Sequence, residues 1–559
     1  MTSASDTATT WIGRSIERIE DAALLSGRGR YADDAGVKPG TLAAAILRSP
    51  HAHAALVAID AAAALALPGV RAVLTGADVK AWAKPFVVGV RQPMEHWCLA
   101  IDRVRYVGEP VAVVVADDRY VAEDALDLIR VEYQPLPAVV DPEQAAESGA
   151  PVLHELVGSN IVSDRHFAYG DPDATFAAAA HRVKLKVRYP RNAGMPIECY
   201  VVVAEHQPDA GAYDVFSNFQ GPFALHPVMA LALGIAGSKL RLRTPRDSGG
   251  SFGSKQAVFQ YIVLMCLAAR KARAPVKWVE DRLEHLVAAT SATNRVTTIE
   301  AAVENDGTIA ALRYDQLDDC GAYLRAPEPA TFYRMHGVLT GAYAVRHLAV
   351  RNRVVLTNKT PAGLMRGFGG PQVYFALERL MQRIAVELEL DPVDVYRRNF
   401  VPAGAFPYHA PAGALLDSGD YAALLELALR DGGLEELQRR RAAARAEGRL
   451  YGIGFAAIVE PSISNMGYIT TALTPAQRDK AGPKNGAIAS ATVNVDALGS
   501  VSVVLDSTPQ GQGHATAVAQ VVADALGIAP QQVAVNTELD TQKDAWSIAA
   551  GNYSSRFAG

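Results

Sequence analysis

The stretch Asp247-Ser248-Gly249-Gly250-Ser251-Phe252-Gly253-Ser254-Lys255 constrains the fold more than any other. Glycines this dense between two apolar segments mark backbone that turns sharply and comes close to a neighbour. Upstream, Leu240-Arg241-Leu242-Arg243 alternates as a short strand does, and downstream 257–272 is largely apolar with helical spacing. Strand, glycine loop and helix in that order is a phosphate-binding arrangement. The Walker form is excluded because Ser254 separates Gly253 from Lys255, and no G-x-G-x-x-G spacing is present to make a Rossmann fingerprint. Alone, such a loop is more simply a tight turn.

Two further loops change that reading. Arg366-Gly367-Phe368-Gly369-Gly370-Pro371-Gln372 and Gln510-Gly511-Gln512-Gly513-His514 each open directly into a helical pattern. Three loops that expose backbone N–H groups and amide side chains at helix N-termini suit a large, polar, phosphorylated cofactor. On these residues, in this order, the chain resembles the molybdenum-cofactor subunit of the xanthine dehydrogenase, aldehyde oxidase and carbon monoxide dehydrogenase family, from about Ile12 onward.

The resemblance implies a multi-domain α+β fold. A flexible N-terminus (1–20) precedes an α/β hammerhead-like domain (21–138) and a linker (139–168); two molybdopterin-binding domains follow, 169–402 and 403–559, the second incomplete. It also implies molybdenum held by the dithiolene of molybdopterin, as a cytosine dinucleotide, with no protein side chain on the metal. Gln220 matches the glutamine that faces the metal, Gly250, Phe252 and Gly253 the loop beside it, and Arg366, Gly367 and Phe368 the loop on the other side. Gln510, Gln512, Gly513, His514, Ser554 and Ser555 match segments that bind the pterin and its phosphates. Counting back without gaps from Arg366, Arg334 falls where purine-oxidising relatives hold an arginine for a substrate oxyanion; Gln256 stands in place of their glutamate. The family's glutamate general base has no counterpart before the last residue. Glu460 is a weak substitute, since an acid after a strand is usually a solvated turn residue.

The expected reaction is hydroxylation of an electron-poor, N-heteroaromatic carbon with oxygen from water. The alternatives are an aldehyde dehydrogenase of the same family or a non-catalytic cofactor-holding chain. Carbon monoxide oxidation is not expected, because Arg366 is followed by glycine and none of the four cysteines lies in that loop. Nor does any cysteine spacing or flavin fingerprint provide an electron path, so separate 2Fe–2S and FAD chains are implied.

Composition sets outer limits. With 559 residues, half of them apolar, the chain is too long for one core; its net charge of −5 gives no reason to expect nucleic acid or an anionic membrane as partner. Cys98, Cys199, Cys266 and Cys320 are scattered, as reduced cytoplasmic thiols are. Residues 1–10 lack an apolar export region, and no apolar run is long enough to span a bilayer. His51 and His53 read as structural.

An internal echo completes the reading. Phe219-Gln220-Gly221, a helix, Ala232-Leu233-Gly234-Ile235 and a strand lead to the first glycine loop. Gln512-Gly513, a helix, Ala525-Leu526-Gly527-Ile528 and a strand repeat the order. The second copy lacks a matching final helix, so either a separate small chain is expected to complete it and bring the base, or the sequence is cut short.

Overall fold

The β-branched run Val111 to Val115 has no polar alternation, and such a strand must be covered on both faces. In the computed structural model, which describes residues 10–87, 92–325, 330–461, 476, 477, 480 and 490–544, it is the strand Pro110–Ala116, with every residue buried. It lies in a seven-stranded sheet of order Leu240–Arg243, Ala212–Ser217, Val201–Gln207, Val276–Val279, Leu42–Arg48, Pro110–Ala116, Val70–Thr75. Three of these strands come from the hammerhead-like region and four from beyond residue 200. The join is parallel, Leu42 opposite Val276, so one sheet runs through the boundary expected at residue 138. Helix Phe259–Ala272, buried from Phe259 to Ala269, fills the core beneath it.

A second, five-stranded sheet has the order Ile161–Tyr169, His347–Val355, Ile309–Asp319, Asn294–Val303, His181–Tyr189. Its hairpin turns at Gly307, whose φ of 88° suits glycine. Helix Gly370–Glu387, with Pro371 in its first turn, lays the expected stripe of Val373, Leu377, Leu380, Met381 and Ile384 on this sheet. Asp391 then caps helix Pro392–Asn399. A third sheet carries Ala491–Val495, Val501–Leu505 and Val533–Asn536.

Several expectations change. Residues 10–20, assigned to a flexible N-terminus, are held against the last domain: Trp11 N donates to Asp524 at 2.5 Å and Trp11 Nε1 to the Ile528 carbonyl at 3.0 Å. The last quarter of the stretch taken as a linker belongs to the strand Ile161–Tyr169, hidden by the prolines and acids before it. The segment 452–459 alternates apolar residues as a strand does but joins no ladder among the described residues. It lies extended on helix Gly370–Glu387, burying Phe455, Ala457 and Val459, and its backbone is satisfied from that side by Glu378, Tyr374 and Tyr396.

The internal echo is structural. Gly221 (φ 69°) precedes helix Pro222–Leu233 as Gly513 (φ 81°) precedes helix His514–Leu526, and Gly234 and Gly527, both at φ 67°, end them. Each helix leads to a strand parallel to the one before it. Gln220 and Gln512 therefore occupy equivalent places.

Candidate functional site

The first glycine loop is knotted onto its surroundings. A Cβ at Gly249 would stand 2.4 Å from Glu198 Cβ, and one at Gly253 2.7 Å from the Leu364 carbonyl. Both positions therefore need glycine. Glu198 accepts from Gly249 N at 2.9 Å and Ala32 N at 3.1 Å and pairs with Lys255, whose side chain is wholly buried. Burial pushes the Lys255 ammonium down and Glu198 opposes it. Ser251 Oγ donates to Gln220 Oε1 and accepts from Gly253 N at 3.2 Å and Lys255 N at 3.1 Å. Gln220 N reaches the Lys255 carbonyl at 3.3 Å, so Gln220 and the loop form one unit.

At the crest Phe252 takes φ 55°, a left-handed conformation costly for a side-chain-bearing residue. Its carbonyl accepts from Arg366 N at 2.7 Å and its ring, 39% exposed, faces the Arg366 guanidinium at 5.3 Å. The second loop is thereby tied to the first. Arg334 supports it from below: Nη1 donates to the Gly367 carbonyl at 3.1 Å and the guanidinium lies 4.3 Å over the Phe368 ring. Nη2 pairs with Glu460 Oε1 at 2.5 Å, while Arg334 Nε is buried with no partner. Glu460 Oε2 is 2.9 Å from the Tyr374 hydroxyl. With both oxygens engaged, Glu460 is a clamp on Arg334, not a free base.

The third loop reaches the first where Ser248 Oγ donates to Gln510 Oε1 at 2.7 Å. Gln512 Oε1 accepts from Gln510 N at 2.5 Å and fixes the turn before the helix. His514 is 1% exposed, and burial holds its imidazole down at about 4, against a smaller upward pull from Glu20. An uncharged ring suits a helix N-terminus, which disfavours cations. Part of that terminus is already served: Glu20 accepts from Ala515 N at 3.1 Å and pairs with the Thr516 hydroxyl. Arg18 Nη2 donates to the Gly511 carbonyl at 3.4 Å, bringing a cation to the loop.

Gln256, one turn beyond Phe252, is 2% exposed, and neither its amide nitrogen nor its oxygen has a partner. A buried amide with both ends open is costly without a polar ligand. Of the cysteines, Cys98, Cys266 and Cys320 are buried in cores and Cys199 is half-buried at the start of a central strand. Ser554 and Ser555 lie outside the described residues. Sequence reasoning passed over Glu198, Ser251, Arg18 and Glu20, although two charges in Arg18-Ile19-Glu20 beside apolar Ile19 were a visible sign of a docked segment.

Comparison with known proteins identifies the domains that carry these loops. Residues 26–137 match the aldehyde oxidase and xanthine dehydrogenase a/b hammerhead domain, and residues 153–400 and 427–559 each match a molybdopterin cofactor-binding domain. The chain is 34% identical to the nicotine 6-hydroxylase large subunit of Paenarthrobacter nicotinovorans, over 98% of this chain and 66% of that one. It is 34% identical to the carbon monoxide dehydrogenase large chain of Afipia carboxidovorans, over 98% and 68%. The crystal structure of quinoline 2-oxidoreductase from Pseudomonas putida 86 superposes with a TM-score of 0.87 at 33% identity, covering 97% of this chain and 68% of that one. The chain thus spans about two thirds of the length of these relatives.

Proposed function

The chain belongs to the xanthine dehydrogenase and aldehyde oxidase family of molybdopterin-binding proteins, and on that premise we propose that it is the cofactor-binding catalytic chain of a molybdenum hydroxylase acting on an electron-poor carbon of an N-heteroaromatic ring. One observation carries the reading: the Gly250 loop is bonded to the Arg366 loop at one end and to the Gln510 loop at the other, both at 2.7 Å.

The residues present fit a bulky, polar, anionic cofactor. Close-packed glycines leave backbone exposed, Arg18 brings a cation to the Gly511 loop, and Gln256 keeps an unpartnered amide. When bound, the molybdenum–molybdopterin group, as a cytosine dinucleotide, supplies two-electron oxidation with oxygen drawn from water. Gln220, held through Oε1 by Ser251, turns its NH2 group away from that contact to donate. Gln512, Gly513 and His514 hold the pterin end. Arg334, with Nη1 and Nη2 fixed, offers its buried Nε–H to a substrate oxygen. Gln256 donates to or accepts from a ring nitrogen or hydroxyl without adding charge. Among the described residues none is assigned as general base: Glu460, the nearest candidate, is engaged through both oxygens. Electrons leave to 2Fe–2S and FAD chains. The cysteines form no disulfide, which suits the cytoplasm.

The test is turnover in 18O-labelled water with quinoline-class heterocycles and with aldehydes, using the protein together with its co-purifying chains. Label in the heterocyclic product and higher kcat/KM for heterocycles are expected. Oxidation of aldehydes alone, or of carbon monoxide with stoichiometric copper, overturns the reading. Arg334→Met is expected to lower kcat/KM for hydroxylated heterocycles by about 100-fold, as for the loss of one buried donor to a developing oxyanion.

A further inference from the structure

Outside the three loops, one cluster of chemically capable side chains has no task in the reaction: Cys199, Glu280 and His285, whose ligand atoms lie within 4.8 Å of one another. The fold builds it from neighbouring parts. Strands Val201–Gln207 and Val276–Val279 run antiparallel with Val201 opposite Val279, so Cys199 and Glu280 sit at the same end of adjacent strands. Helix Arg282–Ala288, started by the Asp281 cap, brings His285 back over them.

The hydrogen bonding points to a missing cation. Glu280 and His285 are 2% and 1% exposed. His285 Nε2 lies 3.2 Å from the Gly194 carbonyl, which calls for N–H on that nitrogen. Nδ1 faces Glu280 Oε2 at 2.8 Å across one shared proton, the proton that a metal ion on these ligands replaces. The other oxygen, Glu280 Oε1, is buried with no partner, so the contact with His285 satisfies this carboxylate on one oxygen alone. A buried carboxylate oxygen left open calls for a further ligand.

We propose that Cys199, Glu280 and His285 bind one zinc-class divalent cation, with water as fourth ligand. A thiolate, a carboxylate and a neutral imidazole carry two negative charges, so the occupied site is neutral, as burial requires. Binding displaces two protons, one from the Cys199 thiol and one shared between His285 and Glu280. Tetrahedral zinc with Zn–S near 2.3 Å and Zn–N near 2.0 Å sets its ligands about 3.5 Å apart, a spacing within reach of atoms that lie no more than 4.8 Å from one another. The Nε2–H on a backbone carbonyl is the orienting contact that metal-bound histidines make. Cys199, only half-buried, gives the ion a way in. Glu198 next to it holds Gly249 N and Lys255, so an ion here steadies the foot of the first glycine loop.

The experiment is zinc content by mass spectrometry after exhaustive dialysis of the protein with its co-purifying chains, followed by replacement with cobalt(II). About one zinc per chain is expected, lowered at least tenfold in Cys199→Ser, with a near-ultraviolet thiolate-to-cobalt band in the wild type that the variant lacks. Two protons are released per zinc bound. Equal zinc in the variant, or a wild type with neither retained zinc nor a cobalt–thiolate band, overturns the proposal.

Discussion

Phe252 and Gly253 both stand at positive φ, and only the glycine does so without strain. A methyl group at Gly253 meets the Leu364 carbonyl at 2.7 Å, so it must part the first two loops. Gly253→Ala is expected to cost about 2 kcal/mol or more in denaturant unfolding; a loss below a few tenths would refute the close approach. His514 carries the pH dependence of the third loop. Its folded pKa of about 4 lies below the unfolded value near 6.5, so its contribution to stability is present above pH 6.5 and lost as pH falls toward 4. Unfolding midpoints across that window should fall more steeply in the wild type than in His514→Gln; equal slopes would contradict the buried neutral ring. The loop residues were legible because glycine density is local. Glu198 and Ser251 were not, since their roles arise only when Lys255 and Gln220, far away in sequence, are folded against them.

At the scale of elements, the apolar spacing over 257–272 gave helix Phe259–Ala272 to within a few residues, the Arg366 loop does open into helix Gly370–Glu387, and the repeated helix, glycine and strand order survived folding. The segment 452–459 has the alternation of a strand without being one. Alternating apolar residues there fit a half-buried strand, but what they meet is a helix, and no neighbouring backbone completes a ladder. Glu378 replaces the ladder: buried in helix Gly370–Glu387, it accepts from the Tyr343 and Tyr396 hydroxyls at 2.8 Å each and from Ala457 N at 2.9 Å. Removing it leaves the Tyr343 hydroxyl and Ala457 N without their acceptor and Tyr396 with the Phe455 carbonyl alone. Glu378→Ala is expected to lower stability by on the order of 3 kcal/mol and to raise amide exchange at Ala457 and Val459; unchanged exchange would show that the segment is held by its apolar side chains alone.

At the scale of the whole molecule, the order of domains could be read from the motifs but the sheet that joins them could not. The parallel pairing of Leu42–Arg48 with Val276–Val279 links residues more than 200 apart, and nothing local in either strand announces the other. The docking of residues 10–20 onto helix His514–Leu526 was hidden for the same reason. One consequence is that the first and third loops share support: Arg18 and Glu20 hold the third loop and Ala32 meets Glu198 under the first. All of this serves the claim that three loops form one seat for a molybdenum–pterin group. Molybdenum and pterin content per chain, measured on the protein purified with its accompanying chains, tests that claim most directly. One molybdenum and one pterin per 559-residue chain are expected; a well-folded protein holding neither would contradict it.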